Sequence, residues 1–154
     1  MLTNNCIALE PGKVLFSEKG VRTRKNLEKA GIEEGDTVEV CSSTGDFLAV
    51  GHYQIGSIAV RIIDFGKREI DESFYTERLS QAYLLRKSLG LIRPDNNAFR
   101  LVHGEGDFLP GLVVDIYDRT AVVQAHSPGM HYARNMIADA LLNIADGLIE
   151  NVYY

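Results

Sequence analysis

The stretch 100–115, RLVHGEGDFLPGLVVD, constrains this chain more than any other. Two apolar runs, residues 99–102 and 112–114, flank a loop dense in Gly, Asp and Glu that closes on Pro110-Gly111. Proline fixes φ and the next glycine tolerates φ > 0, so the pattern predicts strand, tight loop, strand. A third run, residues 121–125, follows the turn Tyr117-Asp118-Arg119. His103, Glu105 and Asp107 in the loop are residue types that carry acid–base chemistry, while the plainer reading is a solvated acidic turn.

Helices are expected on either side. Asp71 or Ser73 can N-cap a helix running to Leu89 and stopped by Gly90, with Glu72 near its positive end. Tyr75, Leu79, Ala82, Leu85 and Leu89 recur as one apolar stripe. Arg78, Arg86 and Lys87 lie off it and read as a solvated face. Downstream, Ser127-Pro128 is an N-cap followed by Pro at the first helical position. Met130, Ala133, Ile137, Leu141 and Ile144 form the next stripe, ended by Gly147, and residues 148–154 read as a strand with no turn or polar tail after it.

The first part is β-rich. Residues 6–9, 14–16, 37–41, 47–53 and 58–63 are expected strands, separated by Gly-containing turns, with a short helix at 26–30 capped by Gly31. Short strands at this spacing indicate a small barrel or sandwich. The expected fold class is α+β: a β barrel over residues 1–68, a connecting helix in 69–93 and a small α+β domain of antiparallel strands and a helix in 94–154.

No run of about 18 apolar residues could span a bilayer, and the start lacks a basic then apolar signal. Cys6 and Cys41 make no disulfide framework, so the expectation is reduced, buried thiols in a cytoplasmic protein. Net charge is −5, and the deficit sits in 94–154, with three basic against eight acidic residues. By contrast 12–29 holds six basic groups and two acidic ones. Such a patch can neutralise phosphates, which places candidate RNA contacts at Lys19, Arg22, Arg24 and Lys25. His52 and Tyr53, ending a strand, are further candidates for a base or ribose.

Metal binding is not expected, since His126 and His131 lack further ligands and neither cysteine sits in a C-x-x-C pair. Gly104-x-Gly106 leads into a strand and cannot place a phosphate on a helix N-terminus. No P-loop or G-x-S-x-G occurs.

RLVHGEGDFLPGLVVDIYDRTAVVQAHSPGM, with G-D-T-V-E-V, F-L-A-V-G-H-Y and S-I-A-V-R-I before it, resembles the large-subunit rRNA cytosine-5 methyltransferase I family. The resemblance implies a PUA-like RNA-binding barrel, the start of a central α+β domain, and a catalytic Rossmann-like domain lying beyond Tyr154. It departs from the family where a His-Pro-Trp-aromatic run is usual; Gly12-Lys13-Val14-Leu15 stands there, and the chain has no Trp. The implied parent enzyme uses S-adenosylmethionine and a cysteine in the absent domain to methylate C5 of a cytosine in 23S rRNA. This chain is then its RNA-binding, substrate-positioning front part, inactive alone, with no catalytic residue, cofactor or metal of its own. The competing readings are a stand-alone, non-enzymatic RNA- or partner-binding protein and a hydrolase built on His103, Glu105 and Asp107. The final strand, guarded only by Glu150, is expected to self-associate with a second copy.

Overall fold

The computed structural model describes residues 31–154 except Ser43, Gly45, Ala145 and Asp146, together with the backbone of three strands before residue 17. Their contacts divide into two units, Met1–Arg68 with Ser127–Gly129, and Glu69–His126 with Met130–Tyr154.

In the first unit, β1 (Leu2–Thr3), β2 (Cys6–Glu10), β3 (Lys13–Phe16), β4 (Thr37–Cys41), β5 (Phe47–Tyr53) and β6 (Ile58–Asp64) form one sheet. Its order is β1-β6-β5-β4-β3-β2. Only β3 and β4 run parallel; the other neighbours are antiparallel. Among the described residues this sheet is open and not closed into a barrel, while the α+β class is as the sequence indicates. The strands themselves fall where alternation placed them, with β1 additional. The expected helix at 26–30 lies outside the described residues. Val38, Val40, Ala49, Tyr53, Ala59 and Val60 meet Ile32 in the core of this unit. Gly51 is required there: a Cβ would stand 2.3 Å from the Arg61 carbonyl oxygen and 2.8 Å from Val60 Cγ1. Backbone cannot give way to that contact, so β5 and β6 pair closely only because residue 51 lacks a side chain.

The second unit opens with α1 (Glu72–Ser88). Asp71 caps it, its Oδ1 accepting the Phe74 N–H at 3.0 Å and the Ser73 hydroxyl at 2.7 Å. The Ser73 hydroxyl and then the Phe74 N–H hold the Asp71 carboxyl below its ordinary pKa. Phe74, Tyr75, Leu79 and Ala82 are buried, but Leu85 and Leu89 are exposed, against expectation. The buried face continues instead through Arg86, four residues after Ala82, whose charge is met from across the fold.

The hairpin forms as the sequence predicts. β7 (Ala98–His103) leads through a 3₁₀ turn, Gly104–Asp107, to β8 (Leu112–Tyr117). Leu112 N–H donates to Leu109 O at 3.0 Å across Pro110-Gly111, and Gly111 has φ of 87°, the left-handed second corner of a type II turn. A register shift between Arg100 and Val102 lets both Leu101 and Val102 turn inward. β9 (Thr120–Ala125) pairs antiparallel with β8 across Asp118-Arg119, Asp118 taking φ of 54°.

Two helices follow, α2 (Pro128–Tyr132) and α3 (Arg134–Asn143), where one continuous helix was expected; Ala133 interrupts them. All five stripe residues are nonetheless buried. The helix begins at Pro128 as the sequence indicates, yet the buried Ser127 Oγ has no hydrogen-bond partner among the described residues. β10 is only Asn151–Tyr153, shorter than the expected 148–154, because Gly147 takes φ of 82° and Ile149 turns into the core. It pairs parallel with β9, giving the order β10-β9-β8-β7. α1 packs on α3 and on β7, and α3 on β10, so the helices cover one face of this sheet.

Candidate nucleic-acid interface

Lys19, Arg22, Arg24 and Lys25 lie outside the described residues. His52 and Tyr53 close β5 and are both buried, so neither turns a face to a ligand in this conformation. The sequence offers both as candidates for contact with a base or ribose. Tyr53 instead anchors the turn before β4: its N–H donates to Asp36 O and its O accepts from Gly35 N–H, each at 2.9 Å. Burial removes the solvent that a charged imidazole needs and pushes the His52 pKa down to about 4.

Sequence reasoning passed over the basic side chains at the end of β6. Arg61 Nε donates to Gln54 Oε1 at 2.6 Å, Lys67 lies 3.5 Å from Glu39 and over the Phe47 ring, and Arg68 lies 4.0 Å from Asp64. The signal was present as Arg61, Lys67 and Arg68 within eight positions, but each is neighboured by a carboxylate or amide, leaving little free potential.

In the second unit, the HGEGD loop does not assemble a catalytic set. The Asp107 carboxylate, buried, takes both terminal nitrogens of Arg86, the second at 2.8 Å, and the His103 backbone N–H at 2.6 Å. Arg86 Nε donates to Arg100 O at 3.1 Å. Each of the three guanidinium nitrogens thus ties α1 to β7 or to the 3₁₀ turn, so Arg86 is not on a solvated face as its spacing suggested. His103 turns its ring toward Arg100, with Nδ1 3.4 Å from that guanidinium, and Glu105 is exposed. A base oriented by a carboxylate, which hydrolysis would need, is not formed by these three residues. Asp107 is a fastening.

No group of three or more His, Cys, Asp or Glu side chains suited to a metal occurs among the described residues. His131 Nδ1 is instead 2.6 Å from the Tyr154 hydroxyl. Cys41 is free and buried in β4. No described helix is long and apolar enough to cross a membrane.

Residues 9–65 match the model of a family described as a PUA-like domain. The ribosomal RNA large subunit methyltransferase I of Alteromonas mediterranea is 43% identical over 113 residues, covering 71% of this chain and 28% of the relative. A Methanocaldococcus jannaschii protein assigned as a ribosomal RNA large subunit methyltransferase is 27% identical over 146 residues, 95% of this chain and 35% of its own. Among solved structures, a Streptococcus mutans protein described as a SAM-dependent methyltransferase is similar with a TM-score of 0.67 at 16% identity, over 77% of this chain and 32% of that one. Another, assigned as a methyltransferase and solved in complex with SAH, gives 0.68 at 14% identity, over 84% and 34%. At such identities the solved structures speak for the fold. The chain spans 28% to 35% of the length of the two curated relatives.

Proposed function

We propose, on the premise that this chain aligns with a portion of the ribosomal RNA large subunit methyltransferase I family, that it is the RNA-engaging and substrate-positioning part of such an enzyme. The observation carrying this is a PUA-like match over 9–65 in the same chain as a 43% identical stretch of a named rRNA methyltransferase. The family's cofactor is S-adenosylmethionine, and the reaction we assign to the whole enzyme is methyl transfer to C5 of a cytosine in 23S rRNA. A thiolate adding to the pyrimidine ring makes C5 nucleophilic toward the methyl donor. Cys41, inside β4, is not placed for that step.

The RNA contact is assigned to the basic tract, with Lys19, Arg22, Arg24 and Lys25 neutralising phosphates. Changing Arg22, Arg24 and Lys25 together to Glu should weaken binding to a structured 23S fragment by about tenfold or more and flatten its salt dependence, because fewer counterions are released. Fluorescence anisotropy across a salt series reads both; an unchanged affinity and slope would move the site elsewhere. In the same series, calorimetry with S-adenosylmethionine should show no binding to this chain, and a micromolar one-to-one complex would overturn the division of labour proposed here.

A further inference from the structure

Among the described residues of this unit, the helices leave one face of the β10-β9-β8-β7 sheet uncovered. Register and burial together identify its side chains. Ala98, Arg100 and His103 of β7 stand opposite Tyr117, Asp115 and Val113 of β8, and none of the six is buried. Across β9, Tyr117 leads to Thr120 and Asn151, and Asp115 to Val122 and Tyr153. The tyrosines are 57% and 70% exposed. Two strand spacings and two residues separate them, about 12 Å by sheet geometry. Arg100 is clamped by Asp115 through two bonds of 2.8 and 3.0 Å, which fixes the guanidinium plane. An open depression of about 400 Å³ is lined along these two strands by Ala98, Phe99, Arg100, Asp115, Ile116 and Tyr117.

We propose that this sheet face binds single-stranded RNA through its bases, with Tyr117 and Tyr153 each stacking one base and Arg100–Asp115 meeting the edge of the base held at Tyr117. The inference rests on the RNA-engaging reading above and adds a second contact surface of different character. A four-stranded sheet with aromatic rings on its open face is a known solution to holding unstacked bases. Charge restricts the contacts this face can make. Arg100 and Asp115 cancel and 94–154 is acidic overall, so the face has no surplus to spend on phosphates. What it offers is ring faces, a fixed guanidinium plane and the apolar ground of Val113 and Val122, which suit bases.

The test is anisotropy of the full chain with a short, unstructured oligoribonucleotide of mixed sequence and with the corresponding duplex. Tyr117→Ala and Tyr153→Ala should each weaken single-strand binding by about tenfold, in the range of one stacked base, with the salt slope unchanged. Tyr→Phe at either position should restore it, since the ring and not the hydroxyl stacks. Both side chains are exposed, so thermal melting of the Ala variants should match the parent. Equal affinity of parent and Ala variants overturns the proposal, as does equal affinity for the duplex, whose base faces are not available. Light scattering in which the Ala variants dissolve a dimer also overturns it, making the face an interface between copies. If the parent binds RNA and only the basic-tract variant weakens it, this platform fails while the proposed function stands; if the parent binds no RNA, both fall.

Discussion

Replacing Asp107 with Ala should destabilise the chain by about 3–5 kcal/mol, the cost of leaving a buried charge without its partner. That is a large share of the roughly 5–15 kcal/mol by which a native domain exceeds its unfolded state. The Asp107 side chain is 4% exposed and the Arg86 side chain 11%, so water cannot take over the lost contacts. The substitution removes both acceptors for the Arg86 terminal nitrogens and the acceptor for the His103 N–H, three bonds in one change. Asp107→Asn keeps the shape and one acceptor and should lose less. Arg86→Met with Asp107→Leu removes both charges and should recover much of the loss, because a buried ion pair is often no better than apolar residues of similar volume. The contrast within the same unit is Arg100→Ala: the side chain is 47% exposed, so breaking its pair with Asp115 should cost far less than the loss of Asp107. Urea unfolding of the four variants measures this. A loss below about 1 kcal/mol for Asp107→Ala would mean that Arg86 swings out to solvent and that α1 is held by Phe74, Tyr75 and Leu79 alone.

This pair also marks where the sequence stopped being legible. Periodicity found α1, its Asp71 cap and its end before Gly90, and the Pro110-Gly111 turn between β7 and β8, because each is a local signal. It followed the apolar letters to Leu85 and Leu89, whereas the buried face runs through Arg86. A charged residue on a buried face is visible only when its partner is known, and Asp107 lies 21 positions away. The same loss explains His52 and Tyr53. Alternation along β5 fixes which way each side chain points, but which faces are covered depends on neighbours that a single strand does not announce. Ala133 is the reverse case: the break between α2 and α3 leaves the stripe of Met130, Ala133, Ile137, Leu141 and Ile144 buried, so the pattern was right about packing and silent about the kink. For the candidate RNA site, charge counting picks out 12–29 without structure. The tyrosine-bearing sheet face needs β7 to β10 to be assembled first, since Tyr117 and Tyr153 are remote in sequence and share a face only through the register of β9.

The second large effect is a dependence on pH carried by His52. Its imidazole is buried in β5, paired in register with Thr37 on β4 and with Arg61 on β6, whose guanidinium is engaged by Gln54. Desolvation holds its pKa at about 4, whereas an unfolded chain restores the ordinary value near 6.5. Between those values the unfolded state binds a proton that the folded state refuses, so stability rises with pH through this window. The sign follows: the full contribution is present above about pH 6.5, is lost as pH falls, and levels off below about 4. A depression of this size corresponds to about 3 kcal/mol at the acid end. The other three histidines, at 103, 126 and 131, are exposed. The measurement is the urea midpoint at steps from pH 7 to pH 4. The parent should lose stability steadily, and His52→Gln, which fills similar space and takes no proton, should show a much flatter profile whatever its stability at pH 7. Parallel profiles for the two proteins would show that His52 reaches water when it protonates, and that its burial in β5 yields to the charge instead of opposing it.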